Sequence, residues 1–173
     1  MAKISTRKMV LCALFSALIT VATMVIQIPS PMNGYVNLGD VFVLFAAYAL
    51  GPVYGTIAAG LGSALADIIT GYVIYAPATM IIKGVMAVVA YFIFISLKKT
   101  VKHYIPAAIV AGVVAEFIMV LGYFLYACLL MGEGLAAAAS IPGNLIQGAV
   151  GIVVSTLLVI VFEKRGLFDK FND

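Results

Sequence analysis

Asp67 and Lys83 stand out in this sequence because the stretch that carries them, GLGSALADIITGYVIYAPATMIIKG from Gly60 to Gly84, is otherwise apolar. A charge well inside an apolar membrane helix costs about 2.5–3.5 kcal/mol on insertion scales, so such groups face a partner, a cavity or a ligand. The two flank an apparent turn, Gly71 to Ala76 followed by Pro77, which puts them at similar depth on neighbouring helices. They read either as a binding site or as a structural ion pair. Asn144 and Gln147, three residues apart and so on one helix face, bring two more polar groups to the same layer. Gly148 and Gly151 continue that face and are read as leaving space beside it. Tyr35, Tyr72, Tyr75, Tyr123 and Tyr126, with Phe117 and Phe124, complete a mostly apolar layer with a few convergent polar groups, which is the composition of a small-molecule site. Interfacial anchoring is the other reading of the tyrosines. Glu116 lies nearer the middle of its helix, where a proton or cation site, a pocket floor and a protonated carboxyl bonded within the bundle are all open readings.

Catalytic chemistry has little to work with. Ser63 sits in Gly-Leu-Gly-Ser-Ala, which is not the G-x-S-x-G elbow, and no histidine lies at membrane depth to activate it. No G-x-x-x-x-G-K-[ST] loop is present, so ATP chemistry of that kind would need another polypeptide. His103 is a lone histidine in a basic loop with Lys102 and reads as solvated. Cys12 and Cys128 fall near opposite faces, too far apart for a disulfide and without metal-ligand company. No catalytic residue, metal or cofactor is expected.

The elements that position these groups follow from composition. The 173 residues are 65% hydrophobic and 10% charged, with a mean hydropathy of +1.20, far from the roughly one-quarter charged residues of a soluble domain. At about 20 apolar residues per span, the length allows about six helices and no soluble catalytic domain. The predicted helices run from about Met9 to Ile28, Asp40 to Leu50, Val53 to Thr70, Pro77 to Leu97, Ile105 to Leu130 and Ile141 to Phe162. The second is short for a span, so it is read as starting earlier in the loop or as tilted, and Gly51-Pro52 breaks it from the third. Merging residues 41 to 70 into one kinked helix would give five spans instead.

Charge placement decides between the two counts. Six spans with a cytoplasmic N-terminus put Lys3, Arg7 and Lys8, then Lys98, Lys99 and Lys102, then Lys164, Arg165 and Lys170 inside, leaving Lys83 as the only other basic residue of the ten. Five spans would place Lys98, Lys99 and Lys102 outside. The basic residues are therefore a topology signal rather than a nucleic-acid surface. The N-terminal apolar run is too long for a signal peptide and ends in IPSP without a small-x-small site, so it reads as the first span. No repeat or linker divides the chain, and residues 1–173 are expected to form a single domain. Gly55, Ala59 and Ser63, with Gly60/Ala64 and Gly62/Ala66, make the third helix small on nearly every side, as a helix packed inside a bundle requires. Ala13 and Ala17 form a narrower patch, readable as an internal seam or as a docking surface.

Three motifs, YVNLGD (Tyr35 to Asp40), LGPVYGTIAAGLGSALADI (Leu50 to Ile68) and YAPATMIIKG (Tyr75 to Gly84), together resemble the riboflavin-transporter-like group of S components of energy-coupling factor (ECF) vitamin transporters. The resemblance spans nearly the whole chain. It implies an all-α, six-helix membrane bundle in a bacterial-type cell membrane with both termini cytoplasmic. It also implies high-affinity binding of a vitamin near the outer face, beneath a gate formed by the loop from Ile28 to Leu38. The partners implied are a membrane coupling subunit, on which small alanines of helix one dock, and two cytosolic ATPases; release by toppling in the membrane is also implied. Ala13 and Ala17 match the docking motif, which turns the reading of that patch from internal seam to docking. The substrate-binding set is then Lys83, Asn144, Gln147, Asp67, Tyr35, Tyr75, Tyr123 and Glu116. A pyridoxine-like or hydroxymethylpyrimidine ligand is preferred to riboflavin, because such a cavity suits a small polar ring. The competing reading is a self-sufficient proton-coupled carrier using Glu116 and the Asp67/Lys83 pair.

Overall fold

The computed structural model describes residues 5–30, 34–101 and 103–168. Five continuous helical runs dominate it: α1 (Thr6–Val25), α2 (Gly39–Ile69), α3 (Ala76–Val101), α4 (Tyr104–Leu125) and α5 (Ile141–Lys164). All are long and apolar enough to cross a membrane, α4 and α5 together with the short turns beside them. Those turns are a π-helical stretch, Tyr126–Leu130, and a 3₁₀ stretch, Gly134–Ser140. Aliphatic side chains cover the outward faces, as on the second half of α2, where Val53, Ile57, Leu61 and Leu65 are exposed at four-residue spacing.

The second and third predicted helices are joined into the single run α2, broken at Gly51, whose φ of 80° and ψ of −177° are not helical. Pro52 follows and cannot donate a backbone hydrogen bond, so the break falls where the sequence permits one. The two arms then lie against each other: a Cβ added at Gly55 would come within 2.9 Å of the Ala46 carbonyl oxygen. In a straight helix those residues would be more than two turns apart. The first arm begins at Gly39 and gains no earlier turn from the loop; Asn37 Oδ1 instead accepts the Gly39 N–H at 2.8 Å. A Cβ at Gly51 would meet only Tyr91, at an ordinary 3.9 Å. Gly51→Ala should therefore lower stability by about 1–3 kcal/mol through backbone strain alone. Thermal unfolding in detergent checks this, and an unchanged midpoint would show the bend to be relaxed.

The second arm of α2 is packed on both sides, as its small residues predict. A Cβ at Gly62 would lie 2.6 Å from the Ser16 carbonyl oxygen of α1, and one at Gly60 2.9 Å from the Met80 carbonyl oxygen of α3. Thr20 Oγ1 donates to the Gly62 carbonyl at 2.8 Å across the α1 contact. Part of the segment read as a plain loop is ordered: β1 (Gln27–Ser30) pairs antiparallel with β2 (Gly34–Asn37), with Gln27 opposite Asn37 and Pro29 opposite Tyr35. Residues 31–33, the tip of the predicted gate, lie outside the described residues, as do Lys3, Lys102 and Lys170.

At the end of the bundle opposite this hairpin, aromatic rings fill the interior. Phe45 touches Phe15, Phe162 and Phe168; Phe94 stacks on Tyr48 and meets Tyr104 and Phe168. The Tyr48 hydroxyl donates to the Ala108 carbonyl at 3.0 Å, so even this ring's polar tip is satisfied. The bundle is sealed at this end.

Candidate functional site

Lys83 is buried on α3, and its partner is Asp40, in the first turn of α2, rather than Asp67. The sequence-level pairing of Asp67 with Lys83 is thus replaced by a salt bridge between residues 43 positions apart. Asp40 is held from three directions. Its Oδ1 meets the Lys83 ammonium, its Oδ2 accepts from Gln147 Nε2 at 2.5 Å, and its place in the first helical turn sets the carboxylate at the positive end of the helix dipole. Gln147 Oε1 in turn accepts the Asn37 N–H at 2.8 Å, so the amide orientation is fixed at both ends. One hydrogen-bonded chain therefore ties β2 to α5, α2 and α3.

Asp67 does different work. Its Oδ1 accepts from the Tyr35 hydroxyl at 2.5 Å, which anchors β2 over the end of α2. Burial first, and then the neighbouring carboxylate, push the Tyr35 phenol well above its usual range, so it remains a donor. Tyr35 also packs on Tyr72, with ring centroids 4.6 Å apart. Tyr75, raised to about 12 mainly by burial, lies between Tyr123 and Tyr126. Tyr123 donates to Thr79 at 3.1 Å, and the Lys83 ammonium lies 5.5 Å from its ring centre.

These groups surround one cavity at the hairpin end of the bundle. Lys83, Asp67, Asn144, Gln147, Tyr35, Tyr75 and Tyr123 all line it, so seven of the eight binding residues read from the sequence converge there. Glu116 does not. It is buried against α5, where a Cβ at Gly148 would lie 3.0 Å from its Cβ and one at Gly151 2.9 Å from its Oε1. The space expected beside those glycines is therefore filled by Glu116, with the Asp40 Cβ also 3.1 Å from the Gly151 position. Phe117 is exposed on the outer side of α4, and neither it nor Phe124 lines the cavity. Ala13 and Ala17 are exposed on α1, so they form no seam within the bundle.

The sequence reading missed Asp40, Asn37, Thr23, Ser63 and Thr79 as members of this region. Asp40 had a signal, a carboxylate entering an apolar run in YVNLGD, but its place at the edge of that run made it look like an ordinary helix start. The hydroxyl residues carried none. Among the described residues no group of three or more His, Cys, Asp or Glu side chains is arranged to hold a metal ion.

The sequence matches the family described as ECF-type riboflavin transporter, S component, over residues 3–164. The chain belongs to that family. S components of ECF transporters are substrate-binding subunits and not enzymes, and this membrane-embedded chain is one of them. Residues of a Pyrococcus woesei protein, described as an uncharacterized protein in the gap 3' region, are 36% identical over 148 positions, covering 85% of this chain and 95% of that one. A solved structure described as "Structure and mechanism of the S component of a bacterial ECF transporter" superposes with a TM-score of 0.69 at 24% identity, covering 91% of this chain and 96% of that chain. The all-helical bundle thus has the S-component fold.

Proposed function

We propose that the chain, as a single domain in the cell membrane, recognises a heteroaromatic vitamin for an ATP-driven ECF importer. The observation that carries this reading is the convergence of seven polar and tyrosine side chains on one cavity, at the end of the bundle opposite the aromatic seal. Tyrosines offer ring faces for stacking, and the buried polar groups fix orientation. Riboflavin, the vitamin in the family's description, is now the leading candidate. The preference for a smaller pyridoxine-like or hydroxymethylpyrimidine ring rested on a cavity lined by Lys83, Asn144, Gln147 and tyrosines; these line it, but Lys83 and Gln147 are also engaged by Asp40, which leaves them fewer bonds to give a small polar ring.

The cavity faces outward in this reading. The reversal at Gly51 supports six crossings, and Arg7, Lys8, Lys98, Lys99, Lys164 and Arg165 then share the cytoplasmic side with both termini. The exposed alanines of α1 meet the membrane coupling subunit, and two ATPases bound to that subunit supply the energy.

Mass spectrometry of small molecules released from gently purified protein tests the reading. A stoichiometric flavin is the expected result. A stoichiometric pyridine or pyrimidine would reassign the substrate within the same function. Folded protein that releases none, and binds none of the three when each is added, would overturn it.

A further inference from the structure

Seven buried side-chain oxygen atoms make no hydrogen bond among the described residues, and three of them, Thr23 Oγ1, Ser63 Oγ and Asp67 Oδ2, belong to residues lining the cavity. Each of these residues is only 3% exposed. Ser63 and Asp67 are four residues apart and so lie one above the other on the second arm of α2; Thr23 comes from the last turns of α1, against the start of α2. Thr79, whose hydroxyl already accepts from Tyr123, also lines the cavity.

A buried polar atom without a partner is costly, and a helix hydroxyl has an easy remedy in the carbonyl one turn back. Ser16 and Thr70 take that remedy, donating to the Cys12 and Ala66 carbonyls, and Thr20 finds the Gly62 carbonyl across the α1 contact. Thr23 and Ser63 do not. Their hydroxyls and the free oxygen of Asp67 are therefore held ready for something that enters the cavity. Two hydroxyls can accept or donate, and a carboxylate only accepts when ionised. The complementary ligand edge carries at least one O–H or N–H donor for Asp67, beside groups that can give to or take from the two hydroxyls.

We infer that Thr23, Ser63 and Asp67 form a donor-reading wall of the binding site, recognising the hydroxyl or amino edge of the ligand while the tyrosines take its ring. This rests on the vitamin-binding reading and narrows the ligand class. In a flavin the donors come either from the polyol chain or from the imide edge of the ring.

Isothermal titration of ligand-stripped, full-length protein in detergent tests it with riboflavin, lumiflavin (the same ring system without the polyol), pyridoxine and hydroxymethylpyrimidine. The variants are Thr23→Val, Ser63→Ala, Asp67→Asn and the Ser63→Ala/Asp67→Asn pair, all close to isosteric. The pair is expected to weaken riboflavin at least tenfold. If the wall reads the polyol, lumiflavin affinity stays the same in the pair; if it reads the imide edge, lumiflavin weakens in parallel. The same loss for whichever other vitamin binds would equally support the wall. Thermal unfolding without ligand supplies a readout that a structural role would move the other way: Thr23→Val and Ser63→Ala should leave the empty protein as stable as before, or more so. Wild-type affinity in every variant would overturn the wall and leave the vitamin-binding reading intact. Wild-type protein that binds none of the four ligands would overturn both.

Discussion

Asp40→Ala is expected to destabilise the protein by about 3–5 kcal/mol, the usual result of removing one partner from a buried ion pair. The loss exceeds that of a single hydrogen bond because two groups are abandoned together: the Lys83 ammonium and the Gln147 amide both end on Asp40. Both are almost wholly buried, each 3% exposed. Restoring neutrality separates stability from binding. Asp40→Asn combined with Lys83→Met should recover much of the unfolding midpoint, because a buried pair exchanged for uncharged groups of similar volume is often close to neutral. Ligand affinity should nevertheless fall in the double variant, because it removes the Lys83 ammonium from the cavity wall. Unfolding in detergent followed by titration checks both halves; a single variant as stable as the wild type would remove the pair from the energetics of the fold.

Leucine at Ala13 and Ala17 should abolish assembly with the coupling subunit, and with it ATP-driven uptake by more than tenfold, while ligand affinity stays at the wild-type value. Small residues on a membrane helix let a second backbone approach closely, and two leucines force the helix axes apart. Both alanines are exposed on α1 in the isolated chain, so the larger side chains meet nothing within the bundle. Stability should then change by no more than about 0.5 kcal/mol, as for surface substitutions in general. Co-purification with the coupling subunit, paired with titration of the isolated variant, is the measurement. Intact assembly would move the interface to another face; loss of binding together with assembly would indicate damage to the fold.

The polar residues that line the cavity were largely legible in the sequence because ionisable and amide side chains are rare in apolar helices, and each one there needs a reason. Lys83, Asp67, Asn144 and Gln147 were visible for that cause alone. Their pairing was not visible. Lys83 meets a residue 43 positions away and Gln147 meets the same residue across 107 positions, and helix periodicity says nothing about such distances. Gly148 and Gly151 illustrate the same limit: a glycine face signals close approach, but only the packing reveals that Glu116 occupies it. The proline-bracketed segment after α1 hid its two short strands because turn chemistry dominated its composition. Thr23 and Ser63 were invisible for a different reason. Hydroxyls are common in membrane helices and are usually satisfied locally, so only the missing bond sets them apart.

The ion pair between Asp40 and Lys83 also bears on biogenesis. Synthesis runs from the N-terminus, so the carboxylate of α2 leaves the ribosome 43 residues before the ammonium that neutralises it. Until α3 arrives, that carboxylate has no countercharge at the start of the bent α2 hairpin. The contacts that hold the first arm of α2 are therefore completed only when α3, and after it Gln147 of α5, are in place.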